Sequence, residues 1–157
     1  MLEVLLAEVE ASSLASYFRV SRWGHAAVSG LHVLGIASLV GSVLPLSLKL
    51  LGAWPRLPQA VLARVLVPCA ATGLLLAVVA GLILFSVKAQ DYAGVGFLQA
   101  KLCLIALGAA SALYAHRRHG LTLESASRSQ LRLHALVSLG CWLGALACGR
   151  LIAFSSL

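Results

Sequence analysis

The sequence predicts an all-α fold: an antiparallel four-helix transmembrane bundle with an interfacial amphipathic helix at its N-terminus. Three observations carry this. The 157 residues are 61% hydrophobic and 11% charged, whereas soluble domains run at about 45–50% and about 25%. Mean hydropathy is +0.96. Four apolar runs also recur, each close to or above the roughly 20 residues that cross a ~30 Å hydrocarbon layer. The whole chain, residues 1–157, reads as a single membrane domain.

The elements follow in order. Residues 2–18 place Leu2, Leu5, Leu6 and Val9 on one face at helical spacing, with Glu3 and Glu10 on another. This predicts a short helix lying on the membrane surface. Its acidic face is unsuited to anionic lipid, so it is expected to cap the bundle or touch a partner. Arg19, Arg22 and Trp23 form an interfacial anchor. The first span covers residues 23–50, with Pro45 near its far end, and the loop Trp54-Pro55-Arg56-Leu57-Pro58 follows. The second span covers 61–87 and contains Pro68. A polar turn with Asp91 and Tyr92 leads to the third span, 97–116. A basic, serine-rich loop leads to the fourth, 131–154. In that last span Gly140 with Gly144, and Ala145 with Gly149, are small-xxx-small steps that let a neighbouring helix approach closely.

The net charge is +7. Its basic residues sit mostly in short loops, with no basic helix or stripe to follow phosphates, so nucleic acid is not an expected partner. On the side of the termini lie Arg19, Arg22, Lys88, Lys101 and Arg150; the other side holds seven Lys and Arg residues. Lys101 and Arg150 fall within spans, which leaves three against seven in the loops. The positive-inside rule then puts both termini outside, periplasmic in a bacterial inner membrane. Cys69, Cys103, Cys141 and Cys148 lie in apolar runs without a CxxC or CxxCH pattern, and read as buried free thiols. The acidic N-terminus lacks the basic segment of a cleavable signal.

Ionisable residues within a membrane are candidates for chemistry. Counted from the side of the termini, His25 lies about 3 Å deep, Arg150 about 6 Å, Lys101 about 9 Å and His32 about 14 Å. His25 and His32 are seven residues apart and share a helix face with Ser29, with Gly35 at its edge. These four ionisable residues come from three spans. They suggest a b-type haem in the outer half, with His32 on the iron and Lys101 as second ligand or propionate partner. Arg150 and His25 would surround it, Arg150 as a further propionate partner. Gly108, Ala112 and Ala115 continue the Lys101 stripe and leave room for a macrocycle. His25 lies about 10 Å from His32 along one helix, so the two cannot share an iron.

His116 and His134 are each about 30 Å from the same side and form a weaker second site. Plainer roles stand beside all of these. A membrane histidine often bonds to a neighbouring helix, and Lys101 and Arg150 are near enough to the interface to snorkel. The segment His116-Arg117-Arg118-His119-Gly120 fits a solvated helix end. No carboxylate pair is available for acid–base catalysis, so no catalytic residues are assigned.

Several segments also resemble a family of uncharacterised bacterial four-helix membrane proteins. They are HVLGIASLVGS from His32, KLLG from Lys49, ATGLLL from Ala71, FLQAKL from Phe97 and WLGALACGR from Trp142. The resemblance covers nearly the whole chain, although that family often has Asp at the position of Ser47 and Arg at that of Lys49. More distantly, the chain is similar to the copper-resistance D-type membrane proteins and to the bacterial four-helix membrane protoporphyrinogen oxidases. The oxidases imply a b-type haem held by a histidine of the first span and a lysine of the third, at His32 and Lys101 here.

The expected function is that of a cytochrome b-like electron carrier working with a redox partner or larger membrane complex; an enzymatic role stays open should the iron keep a free position. The alternative is a cofactor-free accessory subunit of a respiratory or photosynthetic membrane complex.

Overall fold

The computed structural model describes residues 1–155. Seven helices follow one another: α1 (Leu2–Ala11), α2 (Ser13–Val20), α3 (Arg22–Leu51), α4 (Gln59–Val87), α5 (Ala89–Ala93), α6 (Gly96–His119) and α7 (Arg128–Ser155). No strand occurs among the described residues. α3, α4, α6 and α7 are each long and apolar enough to cross a membrane. This is the architecture of a multi-pass membrane protein.

The long helices begin and end close to the predicted bounds because their limits are set by turn chemistry. Ser21 caps α3, its hydroxyl accepting from the Gly24 N–H at 3.1 Å. Gly52 ends α3 at φ 114, its N–H turned back onto the carbonyls of Leu48 and Lys49, a left-handed cap that glycine adopts without strain. Pro45 and Pro68 sit inside α3 and α4, and both helices continue through them.

The predicted surface helix over residues 2–18 is two helices. Ser12 leaves the helical conformation at ψ 151 and caps the second piece, accepting from the Ala15 N–H at 3.3 Å. A serine gains more as a cap than in a helix interior, because its oxygen takes an otherwise unpaired N–H. The side chain of Leu2, expected on the apolar face, lies outside the described residues. Arg19 of α2 donates to the carbonyls of Glu10 at 3.0 Å and Val87 at 3.1 Å. Glu10 pairs with Arg19 at 3.5 Å and accepts from the Gln90 N–H at 3.3 Å. The N-terminal pair is thereby fastened to the end of α4 and to α5, the capping position expected for it.

Neighbouring long helices run antiparallel. Along α3 and α4, His32 meets Ala77 and Ser38 meets Cys69. Along α6 and α7, Lys101 meets Gly149 and Gly108 meets Trp142. The close backbone pairings are α3 with α4, α6 with α7, and α3 with α7. Among the described residues α4 has no such pairing with α6 or α7. The four spans thus run α4–α3–α7–α6.

The tightest approach is at Gly35 and Gly73. A Cβ on Gly35 would lie 2.5 Å from the Ala77 nitrogen, and one on Gly73 2.7 Å from the Leu39 nitrogen. The predicted glycine steps of α7 are looser. Nothing lies within 4 Å of a Cβ placed on Gly140, and Gly144 faces only Leu104 side-chain carbons. Lipid tails give apolar side chains no reason to prefer another helix, so close backbone packing is what joins α3 to α4.

Candidate functional site

Two regions hold the polar groups of the bundle. The first lies in the half nearer the termini. His32 projects from α3 onto α4, where its Nδ1 donates to the Ala77 carbonyl at 2.8 Å. A carbonyl oxygen only accepts, so Nδ1 carries the hydrogen, and Nε2 of the neutral ring keeps its lone pair. Gly81 makes room for the ring: a Cβ there would lie 2.9 Å from His32 Cε1 and 3.2 Å from Nδ1. Ala77 is buried and His32 half-buried. The ring is therefore held by one carbonyl and the absence of one side chain.

Lys101 projects from α6 onto the end of α7. Its Nζ lies 3.2 Å from where a Cβ on Gly149 would stand. Among the described residues it has neither a hydrogen bond nor an ion pair. His32 stands on α3 and Lys101 on α6, two helices without a close backbone pairing among the described residues, and α7 pairs with both.

The other two residues of the expected outer group are placed differently. His25 is exposed near the start of α3. Arg150 is exposed, and its guanidinium carbon stands 5.1 Å from the Phe154 ring centroid, a cation–π contact.

The second region is a cavity of about 430 Å³ in the opposite half, reached by all four long helices. Leu39, Val43, Leu46 and Leu50 of α3 and Val67, Ala70, Ala71 and Leu74 of α4 form one side. Ala109, Ala112 and Ala115 of α6, with Ala135 and Trp142 of α7, form the other. The polar groups on it are Ser47, Ser111, Ser138, His116 and His134.

His116 Nδ1 sits 3.4 Å from the Gly120 carbonyl. The His134 ring is 6.2 Å from Tyr114 and 6.3 Å from His119, centroid to centroid. The space foreseen beside Gly108 is taken by the Trp142 indole, 3.1 Å from a Cβ there, while Ala112 and Ala115 do border open volume.

Ser47, Ser138 and Trp142 were not singled out from the sequence for a cavity. The small residues Ala70 and Ala71 of α4 and Ala109, Ala112 and Ala115 of α6 mark the opposite walls of the cavity in the sequence. No group of three or more histidine, cysteine or acidic residues suited to a metal ion occurs among the described residues. Comparison with known families, with curated proteins and with solved structures finds no match to this chain.

Proposed function

We propose that the protein is a b-type cytochrome of a bacterial inner membrane, holding haem through His32 in the half of the bundle nearer the termini and passing electrons to a partner. The observation that carries this reading is the 2.8 Å hydrogen bond from His32 Nδ1 to the Ala77 carbonyl. Histidines that bind metals characteristically donate their other ring nitrogen to such a group, which fixes the tautomer and aims the free lone pair. His32 is already in that state.

The residues around it fit the group. Haem supplies a one-electron couple, and its iron takes neutral imidazole as an axial ligand. Lys101, near the start of α6 on the side of the termini, brings a second nitrogen that is unpaired among the described residues. As an amine it would complete the iron's ligands; as an ammonium it would pair with a propionate. α4 and α6 have no close backbone pairing among the described residues. Arg150 and His25, both exposed, are assigned no part in holding it. The loop charges support an orientation with both termini periplasmic.

The test is the optical spectrum of the protein purified from haem-replete cells. A Soret band that is lost in His32→Ala supports the proposal. A colourless protein, found in fixed ratio with larger membrane subunits, would instead favour an accessory subunit.

A further inference from the structure

We propose that the cavity in the half away from the termini binds a lipid-soluble quinone, which enters from the bilayer between α4 and α6. Its walls are almost wholly apolar, and its volume of about 430 Å³ falls within the common range for small-molecule sites. Both α4 and α6 line it, yet these helices have no close backbone pairing. The cavity therefore has a side joined by no helix packing and facing the hydrocarbon layer. A ligand that partitions into lipid can reach it there and leave its tail outside.

The polar groups decide the kind of amphiphile. His116, His134, Ser47, Ser111 and Ser138 supply N–H and O–H groups to a space otherwise lined by apolar side chains. No hydrogen bond to the His134 ring occurs among the described residues. A plain acyl chain would leave the His134 ring and the Ser111 and Ser138 hydroxyls without a partner in the cavity, at the usual cost of an unmatched polar group. The lining contains no Lys, Arg, Asp or Glu. An anionic headgroup, a fatty-acid carboxylate or haem propionates would therefore lack a fixed counter-charge. A quinone meets both conditions, being neutral and aromatic with two carbonyl acceptors. The Trp142 indole, 5% exposed at the inner end, offers an aromatic surface for its ring.

The site stands apart from His32 and is tested without reference to haem. Full-length protein in nanodiscs is titrated calorimetrically with decylubiquinone, and the heat of empty nanodiscs is subtracted. Saturation at one quinone per chain is expected, with decylbenzene, which lacks the carbonyls, unable to compete. Ala112→Leu, which fills the cavity, should weaken binding about tenfold, and Ala106→Leu, on the exposed face of α6, should leave it unchanged. Ala70→Leu, on the facing wall, gives the same reading should Ala112→Leu fail to fold. Heat that never saturates, equal competition by decylbenzene, or unchanged binding in the cavity-filling variant would overturn the proposal and leave lipid chains as the occupant.

Discussion

His32 and Ala77 are joined across the α3–α4 interface by a hydrogen bond of 2.8 Å, with Gly81 one turn further along α4 leaving space for the ring. The arrangement fixes the imidazole without using its second nitrogen. It also separates two effects that substitution of the histidine would merge. Gly81→Val keeps the ligand but puts a side chain 2.9 Å from Cε1. The ring must then turn from Ala77. Haem titration of the purified variant should show affinity reduced about tenfold or more, as for other losses of a metal ligand's supporting bond. Unchanged affinity would mean that the Ala77 bond does not position the ligand.

The Gly35–Gly73 crossing predicts a stability effect independent of any cofactor. Gly73→Ala places a methyl 2.7 Å from the Leu39 nitrogen, against backbone that cannot swing away. Thermal unfolding in detergent should show a loss of about 1–3 kcal/mol, the usual cost of overpacking. Gly140→Ala, with nothing within 4 Å of the new methyl, should be neutral or slightly stabilising because alanine favours helix.

Arg19 fastens the N-terminal helices to α4 and α1 through two carbonyls and Glu10. The ion pair itself is partly exposed, 48% at Arg19 and 25% at Glu10, so little stability is expected from it. Arg19→Ala should therefore loosen α1 and α2 locally. Hydrogen exchange should rise over residues 2–20 and stay unchanged in the four long helices.

The antiparallel order predicts a labelling pattern. In a cysteine-free background, Ser16→Cys and Asp91→Cys should react with impermeant reagent from one side. Arg56→Cys and Ser129→Cys should react from the other. In the proposed orientation the first pair would react from the periplasmic side. Reaction of Ser16→Cys and Ser129→Cys from the same side would contradict the topology.

How much of this was legible in the sequence depends on the physical scale of each feature. The four long helices emerge within a few residues of their predicted bounds, because an apolar run of that length has few alternatives in water or lipid. The break at Ser12 was not foreseen, since one hydrogen bond to the Ala15 N–H decides between one helix and two. Helical spacing put His32 on a polar face, but it could not say which neighbour that face meets. Spacing also favoured Gly140 and Gly144 as the close contact, whereas Gly35 and Gly73 make it. Both pairs look permissive in one dimension, and only the partner helix distinguishes them. Likewise, depth alone grouped His25 and Arg150 with His32, although rotation about their own helices leaves both exposed.

If Lys101 completes the iron's ligands, the site is closed and suited to passing electrons. Carbon monoxide added to the reduced protein should then change the spectrum slowly or incompletely, and Lys101→Ala should bind it promptly. A prompt, complete shift in the unaltered protein would mean an open iron, and a gas-binding or enzymatic role.

The central claim is that His32 holds haem, and the most direct measurement is the optical spectrum of the purified full-length chain compared with His32→Ala and His134→Ala. The predicted result is a Soret band in the unaltered protein, retained in His134→Ala and abolished in His32→Ala while the variant stays folded by circular dichroism. No Soret band in the unaltered protein, or one that persists unchanged in His32→Ala, would contradict the claim.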